Sequence, residues 1–275
     1  MAHSYASVSE LKRQLVEGGT DYGTENDPEL LAVLEGASRR IDAWCNRRAS
    51  GFGPRIGTNV YDAAGKTRLY LGDDLLTFTS GTVAGQTGGT PVAITETTDF
   101  YLEPYNRAPK RILNVHGLTS VSIGAGYRIW SIVGKWGYSD ERVVSASLAN
   151  EALDTSETGF DVDAGTDFAI AETLLVDSEQ LYVTAIATNT LTVVRGANGT
   201  TAASHSNDAP ISVYVYPRDV VSATLQLAMR RWRSRQAGIT GDMGGEGSAL
   251  AAIGQRDTEN SILRTLAHLR VYGVG

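Results

Sequence analysis

Apolar and polar positions follow a helical period at both ends of this chain and a strand-like period between them. Ser7-Val8-Ser9-Glu10 has the spacing of a capping box, with Ser at the N-cap and Glu at the third helical position, and Leu11, Leu15 and Val16 follow it. Gly18-Gly19 ends that helix. Asp27-Pro28 predicts a second start, an N-cap followed by Pro where the missing N–H does no harm. From there Leu30, Leu31, Leu34, Ala37, Ile41, Trp44 and Cys45 recur at spacings of three and four, one apolar face reaching about Arg48. Arg39, Arg40, Arg47 and Arg48 take the other faces, in the C-terminal half where the helix dipole favours cations.

Between 55 and 138 the alternation becomes that of strands. Val60-Tyr61 and Arg68–Leu71 flank Ala63-Ala64-Gly65-Lys66 and predict a hairpin. Val92–Thr95, Phe100–Leu102, Ile112–Val115, Val121–Ile123 and Tyr127–Tyr138 are further apolar, β-rich stretches, and Gly81–Gly89 reads as a loop. Residues 150–216 also read as all-β: Phe168–Ile170, Leu174–Val176, Gln180–Ile186, Thr190–Val194 and Ile211–Val215, with Asn198-Gly199 as a hairpin turn that favours positive φ. After Pro217, the spacing of Val220, Val221, Thr224, Leu225, Leu227, Ala228, Met229 and Trp232 is helical again. Gly238–Gly254 holds six glycines in 17 residues and reads as a linker. A last amphipathic helix carries Ile262, Leu263, Leu266 and Leu269 on one side.

These segments predict an α+β chain: a small helical bundle of N-terminal and C-terminal helices, an antiparallel β excursion and an inserted all-β module. The expected boundaries are 1–50 for the N-terminal helices, 51–149 for the β region and 150–216 for the inserted module. A bundle helix spans 217–237, and 238–275 holds the linker and the C-terminal helix or arm.

Charge sharpens the division. Residues 1–138 carry 14 basic and 14 acidic side chains, 139–217 carry 2 and 12, and 218–275 carry 8 and 5. The middle block is an acidic island with a net charge of −10, inside a chain of net −7. That balance argues against a protein that grips DNA, which needs clustered Lys and Arg to neutralise phosphates. No secretory signal or spanning apolar run is visible, so a soluble chain made in a cytoplasm is expected. One cysteine, Cys45, excludes an internal disulfide framework and reads as a buried small hydrophobe rather than a nucleophile.

Little in the chain reads as catalysis. His3, His116, His205 and His268 share no metal-ligand spacing. No phosphate-binding loop or nucleophile elbow is present. Asp161, Asp163, Asp167 and Glu172 fall at positions 1, 3, 7 and 12 of a calcium-loop pattern, but Thr166 stands where the turn needs Gly and the flanks look like strands. Solvated acids on a strand–turn–strand are the favoured reading. Asn198-Gly199-Thr200 matches a glycosylation sequon, and the turn reading is preferred. Arg230, Arg231, Arg233 and Arg235 could meet an anionic partner; the alternative is a helix end complementing its own dipole and an acidic neighbour. No enzyme, cofactor or metal is expected.

The order of motifs resembles the head–tail connector (adaptor) family of long-tailed bacteriophages. The resemblance rests on Ser9-Glu10-Leu11-Lys12, on Asp27-Pro28-Glu29-Leu30-Leu31 continuing to Ala37 and Ile41-Asp42-Ala43-Trp44-Cys45, and on Val133-Gly134-Lys135-Trp136-Gly137-Tyr138. Pro217, Val220, Ala223, Leu227 and Trp232-Arg233-Ser234-Arg235 complete it. The departure is the 78 residues between Tyr138 and Pro217, where the family has a short turn. That piece, from Leu175 through Tyr182 and Leu191 to Asn198-Gly199 and His205, is similar to a β module recurrent in phage structural proteins.

The resemblance implies a structural, non-enzymatic subunit of the virion neck, made in the host cytoplasm. It implies a homo-oligomeric ring of twelve copies beneath the portal, a platform for a stopper or tail-completion protein, and a channel through which genomic DNA passes without sequence-specific binding; no membrane is involved. The expected contact residues are Arg230, Arg231, Arg233 and Arg235, and the stripe Ile262, Leu263, Leu266 and Leu269, either as a docking arm or as part of the subunit's own bundle. The rival reading is a tail or baseplate accessory whose β module binds a host-surface glycan through Tyr182, Tyr214 and Tyr216.

Overall fold

Ser7 caps the first helix as its spacing predicts. Its Oγ accepts the Glu10 N–H, and Glu10 Oε2 accepts the Ser7 N–H at 2.9 Å. The computed structural model describes residues 4–16, 22–47, 51–64, 67–118, 125–240 and 258–271. Helix α1 is Val8–Leu15, α2 is Asp27–Trp44 and α3 is Arg218–Thr240. The strands are β1 (Arg55–Ala64), β2 (Arg68–Val83), β3 (Val92–Ile94), β4 (Phe100–Glu103), β5 (Lys110–Val115) and β6 (Ala125–Trp136). Then come β7 (Arg142–Leu148), β8 (Gly159–Asp161), β9 (Thr173–Val176), β10 (Glu179–Ala187), β11 (Thr190–Val194) and β12 (Pro210–Tyr214). The fold is α+β with two antiparallel sheets.

The chain divides into two units. A helix–barrel unit comprises 1–46 and 141–270, and a sheet unit comprises 47–140 and 271–275.

In the helix–barrel unit, Leu11, Leu30, Leu34, Ala37, Ile41, Val220, Leu227 and Ala228 are buried between the helices. Residues 258–264 are helical and a 3-10 turn follows at Ala267–Leu269. Arg40 donates to Glu259 at 2.7 Å and the Arg270 guanidinium lies 5.0 Å from the Trp44 ring, so this segment is held on α2. The second sheet runs β7-β12-β9-β10-β11-β8. It closes on itself: Ala149 bridges Val162, the Asn150 N–H reaches Asp161 O at 2.8 Å, and the Asp163 N–H reaches Leu148 O at 3.2 Å. Closure removes the open edge that a six-stranded sheet would otherwise present there. Its interior is apolar, filled by Phe160, Val162, Leu174, Leu181, Val183, Leu191 and Ile211 among others.

The sheet unit follows the order β1-β6-β2-β5-β4, with β3 on the second half of β2. Leu69, Leu75, Phe100, Leu113, Trp130, Ile132 and Trp136 form its core. Two segments remote in sequence meet around Arg47, which is fully buried. Its guanidinium pairs with buried Asp74 and lies 4.9 Å from the Phe52 ring centroid and 5.0 Å from that of Tyr138. Arg111 Nε donates to the other Asp74 oxygen at 2.6 Å. Gly137 sits at φ +149°, and a Cβ there would stand 2.3 Å from Gly53 O, so the Gly-Tyr pair that ends β6 needs its glycine.

Several expectations are corrected. The hairpin across Ala63–Lys66 does not form: β6 lies between β1 and β2 and pairs with both, a pairing distant in sequence that alternation along one strand does not reveal. Gly81 is not loop but the start of the β2–β3 pairing, opposite Ile94. Phe168–Ile170 is not a strand; it follows a 3-10 turn at Gly165–Asp167. Val121–Ile123 lies outside the described residues. Arg142–Leu148 belongs to the second sheet, so the structural border falls near 141 rather than at 149/150. Arg47 leaves the solvent face assigned to it because the helix ends at Trp44 and Asn46 turns left-handed, at φ +58°. Asn198 and Gly199 do have positive φ, 54° and 84°, but they lie in the long β11–β12 connection, not in a hairpin.

Candidate interaction surfaces

The polar centre of the barrel is Glu179, which is fully buried at the start of β10. Arg195 grips it bidentately, Nε to Oε1 at 2.8 Å and Nη2 to Oε2 at 2.9 Å. The Gly196 and Ala203 N–H groups add bonds of 2.8 and 2.9 Å, and His205 Nε2 lies 2.9 Å from Oε2. Burial alone would raise the Glu179 pKa, but Arg195, the two N–H groups and His205 outweigh it and hold the carboxyl at about 2. Arg195 also donates to the carbonyls of Asp154, Glu157 and Ala203, and His205 Nδ1 lies 2.7 Å from Asp177. One carboxylate thereby ties the 154–157 loop to the β11–β12 connection. The cluster has no nucleophile and is spent on holding loops; sequence reading missed it.

Outside that clamp the barrel is one-signed. Glu141, Glu151, Asp154, Glu157, Asp161, Asp163, Asp167, Asp177 and Asp208 are exposed, and Arg142 is the exposed base of this module. The carboxylates of the calcium-like pattern do not converge. Asp161 accepts from Thr190, Asp163 from the Leu148 N–H, Asp167 from Ser147 and Glu172 from the Ala169 N–H, at 2.5, 2.9, 2.6 and 2.9 Å. Among the described residues no group of three or more His, Cys, Asp or Glu is arranged to hold a metal ion.

A cavity of about 280 Å³ opens in the same unit, lined by Tyr5, Ser7, Glu10, Arg13, Glu172 and Tyr216 among others. The Val8 N–H donates to Ile170 O at 3.0 Å, and Tyr5 meets Tyr216 edge-on at 4.9 Å, so the cavity wall joins helices to barrel. Burial, opposed by the Ala169 N–H bond and reinforced by the charge of Glu10, raises Glu172 to about 7.

The residues singled out from sequence fall into two groups. Arg231, Arg233 and Arg235 are exposed in the C-terminal half of α3, which runs on past them to Thr240, Arg230 is half-buried, and Arg235 lies 5.8 Å from the Trp232 ring. Ile262, Leu263, Leu266 and Leu269 are instead buried inside their own subunit, so of the two arrangements weighed for this stripe the intramolecular one is present. The Gly-rich stretch lies outside the described residues from 241 onward. Tyr182 and Tyr214 are buried and Tyr216 is half-buried. Tyr182 packs toward Glu35, and burial, then that carboxylate, push its phenol upward. The stacking faces required for the glycan reading are therefore not presented.

No known protein family matches the chain, and no curated protein matches it. A solved structure that it resembles is a chain from the neck of an empty GTA particle computed with C6 symmetry. The two are 11% identical, the match covers 98% of this chain and 92% of that one, and the TM-score is 0.43.

Proposed function

We propose that this chain is a structural head–tail connector of a tailed bacteriophage. Copies assemble as a homo-oligomeric ring of twelve beneath the portal, join the head to a stopper or tail-completion protein, and leave a channel for genomic DNA. The observation that carries the reading is the segregation of charge within the helix–barrel unit: nine exposed carboxylates on the barrel and exposed Arg231, Arg233 and Arg235 in the C-terminal half of α3. The motif order that resembles the connector family supports it.

A ring of identical subunits needs two unlike faces, because its contacts are heterologous and close by rotation. An acidic barrel and the arginine-rich C-terminal half of α3 supply surfaces of opposite sign. A conduit also works best when it does not hold its cargo, since each phosphate neutralised by Lys or Arg adds affinity and drag. A chain of net −7 meets that requirement. The arginines of α3 then face either the neighbouring subunit or the portal.

Electron microscopy of the purified chain, alone and mixed with portal, tests this. Rings with an open centre are expected, and the quadruple change of Arg230, Arg231, Arg233 and Arg235 to Glu abolishes ring or portal association while the fold persists. A chain absent from purified particles would overturn the proposal.

A further inference from the structure

The outward face of the sheet unit carries an aromatic platform that register builds row by row. Arg68 on β2 stands opposite Asn114 on β5, which stands opposite Tyr101 on β4. Tyr70, Ile112 and Glu103 form the next row on the same face. The intervening row, Leu69, Leu113 and Leu102, turns inward and is buried. Tyr70, Tyr101 and Tyr105 are 46%, 42% and 60% exposed.

These rings are held in place. His116 stacks on Tyr101 with centroids 4.3 Å apart, and Tyr105 meets Tyr101 edge-on at 6.3 Å. Glu103 gathers the polar atoms of the patch: Tyr105 O–H donates to its Oε1 at 3.0 Å, Asn114 Nδ2 at 3.2 Å, and Arg68 Nη2 lies 3.8 Å away. With the patch's carboxylate and amide engaged on each other, the surface left to a partner is ring area and the exposed Arg107 of the β4–β5 turn, while Arg111, of the opposite parity on β5, is spent on Asp74. A sugar would need those same polar atoms free. Tyr and Arg on a preorganised surface are instead the residue types that anchor protein interfaces. The complementary partner is acidic, and this chain offers one in its barrel, where Arg142 is the lone exposed base among the described residues of that module.

We propose that the Tyr70–Tyr101–Tyr105 platform of one copy docks on the acidic barrel of a second copy. The inference rests on the ring reading and deepens it by naming two unlike faces that meet.

The test uses the full chain with a benzoyl-phenylalanine photoprobe in place of Tyr105, assembled from isotopically light and heavy copies and irradiated. Light–heavy cross-links to peptides within 142–216 are expected. In the double variant Tyr101→Ala, Tyr105→Ala, self-association weakens by roughly tenfold or more with an unchanged melting profile. Rings that form normally but cross-link elsewhere, or rings untouched by the double variant, overturn the docking and leave the ring reading standing. Cross-links to the barrel in a closed dimer would keep the docking and remove the ring. A platform that binds sugars on a glycan array while the ring stays indifferent to it overturns the docking as well.

Discussion

Glu179 in the helix–barrel unit and Asp74 in the sheet unit are both completely buried carboxylates, neutralised differently. In the helix–barrel unit the anion is the hub: Arg195, the Gly196 and Ala203 N–H groups and His205 all converge on Glu179. In the sheet unit the hub is the cation, with Arg47 held against the Phe52 and Tyr138 rings, while its anion Asp74 has a second partner in Arg111. The two designs differ in redundancy. Losing Glu179 removes five hydrogen bonds at once and leaves the Gly196 and Ala203 N–H groups without that acceptor, whereas losing Arg47 leaves Asp74 with a guanidinium still attached. A buried pair is weak evidence of net stabilisation, but breaking one by removing a single partner is strongly destabilising.

The largest effect is therefore expected for Glu179→Ala, about 3–5 kcal/mol. Hydrogen exchange should quicken across 142–214 and stay unchanged across 55–136; uniform acceleration would contradict the assignment of the clamp to the barrel. The same carboxylate sets an acid limit. Because its folded pKa, about 2, lies below the ordinary value near 4.5, its contribution is complete above pH 4.5 and is lost as pH falls from there toward 2. Arg47→Met comes next, at about 2–4 kcal/mol, since the methionine keeps the apolar contact with the two rings and Arg111 keeps Asp74 company. Its exchange signature should be the converse, confined to 51–138. A loss as large as that of Glu179→Ala would show that Arg111 gives no cushion.

The comparison also separates what the sequence discloses from what it hides. The capping box at Ser7 and Glu10 and the apolar face of α2 are legible because both are local and periodic. Arg47 is not, because helical phase counted past Trp44 ignores the left-handed Asn46. His205 resembles an isolated histidine until β9, β10 and the β11–β12 connection are assembled. A signal did exist: Arg142 and Arg195 are the only Lys or Arg residues from 139 to 217, and an arginine inside so acidic a block has carboxylates to answer. The rows of the aromatic platform were equally encoded, since Tyr70 and Tyr101 have the parity opposite to buried Leu69 and Leu102. Barrel closure and the placing of β6 between β1 and β2 depend on pairings far apart in sequence, which no local period reports. The apolar stripe at 262–269 was plain, but what covers it is a tertiary fact.

The smallest expected effect is the most informative about pH, because Glu172 behaves oppositely to Glu179 within one unit. Its folded pKa, about 7, is above the ordinary 4.5, so the folded state binds the proton more tightly than the unfolded chain does. Between pH 4.5 and 7 stability then falls as pH rises, and above 7 the full penalty of a buried charge beside Glu10 is present. Glu172→Gln keeps an acceptor for the Ala169 N–H and removes the charge, so it should stabilise the unit by about 1–2 kcal/mol at pH 8 and by almost nothing at pH 4.5. Melting curves across that range give the check. The wild-type profile should peak on the acid side of neutrality, with Glu179 shaping the acid limb and Glu172 the alkaline one. The variant should flatten the alkaline limb alone. A gain that is the same at both pH values would mean that Glu172 acts through packing in the cavity wall, not through its charge.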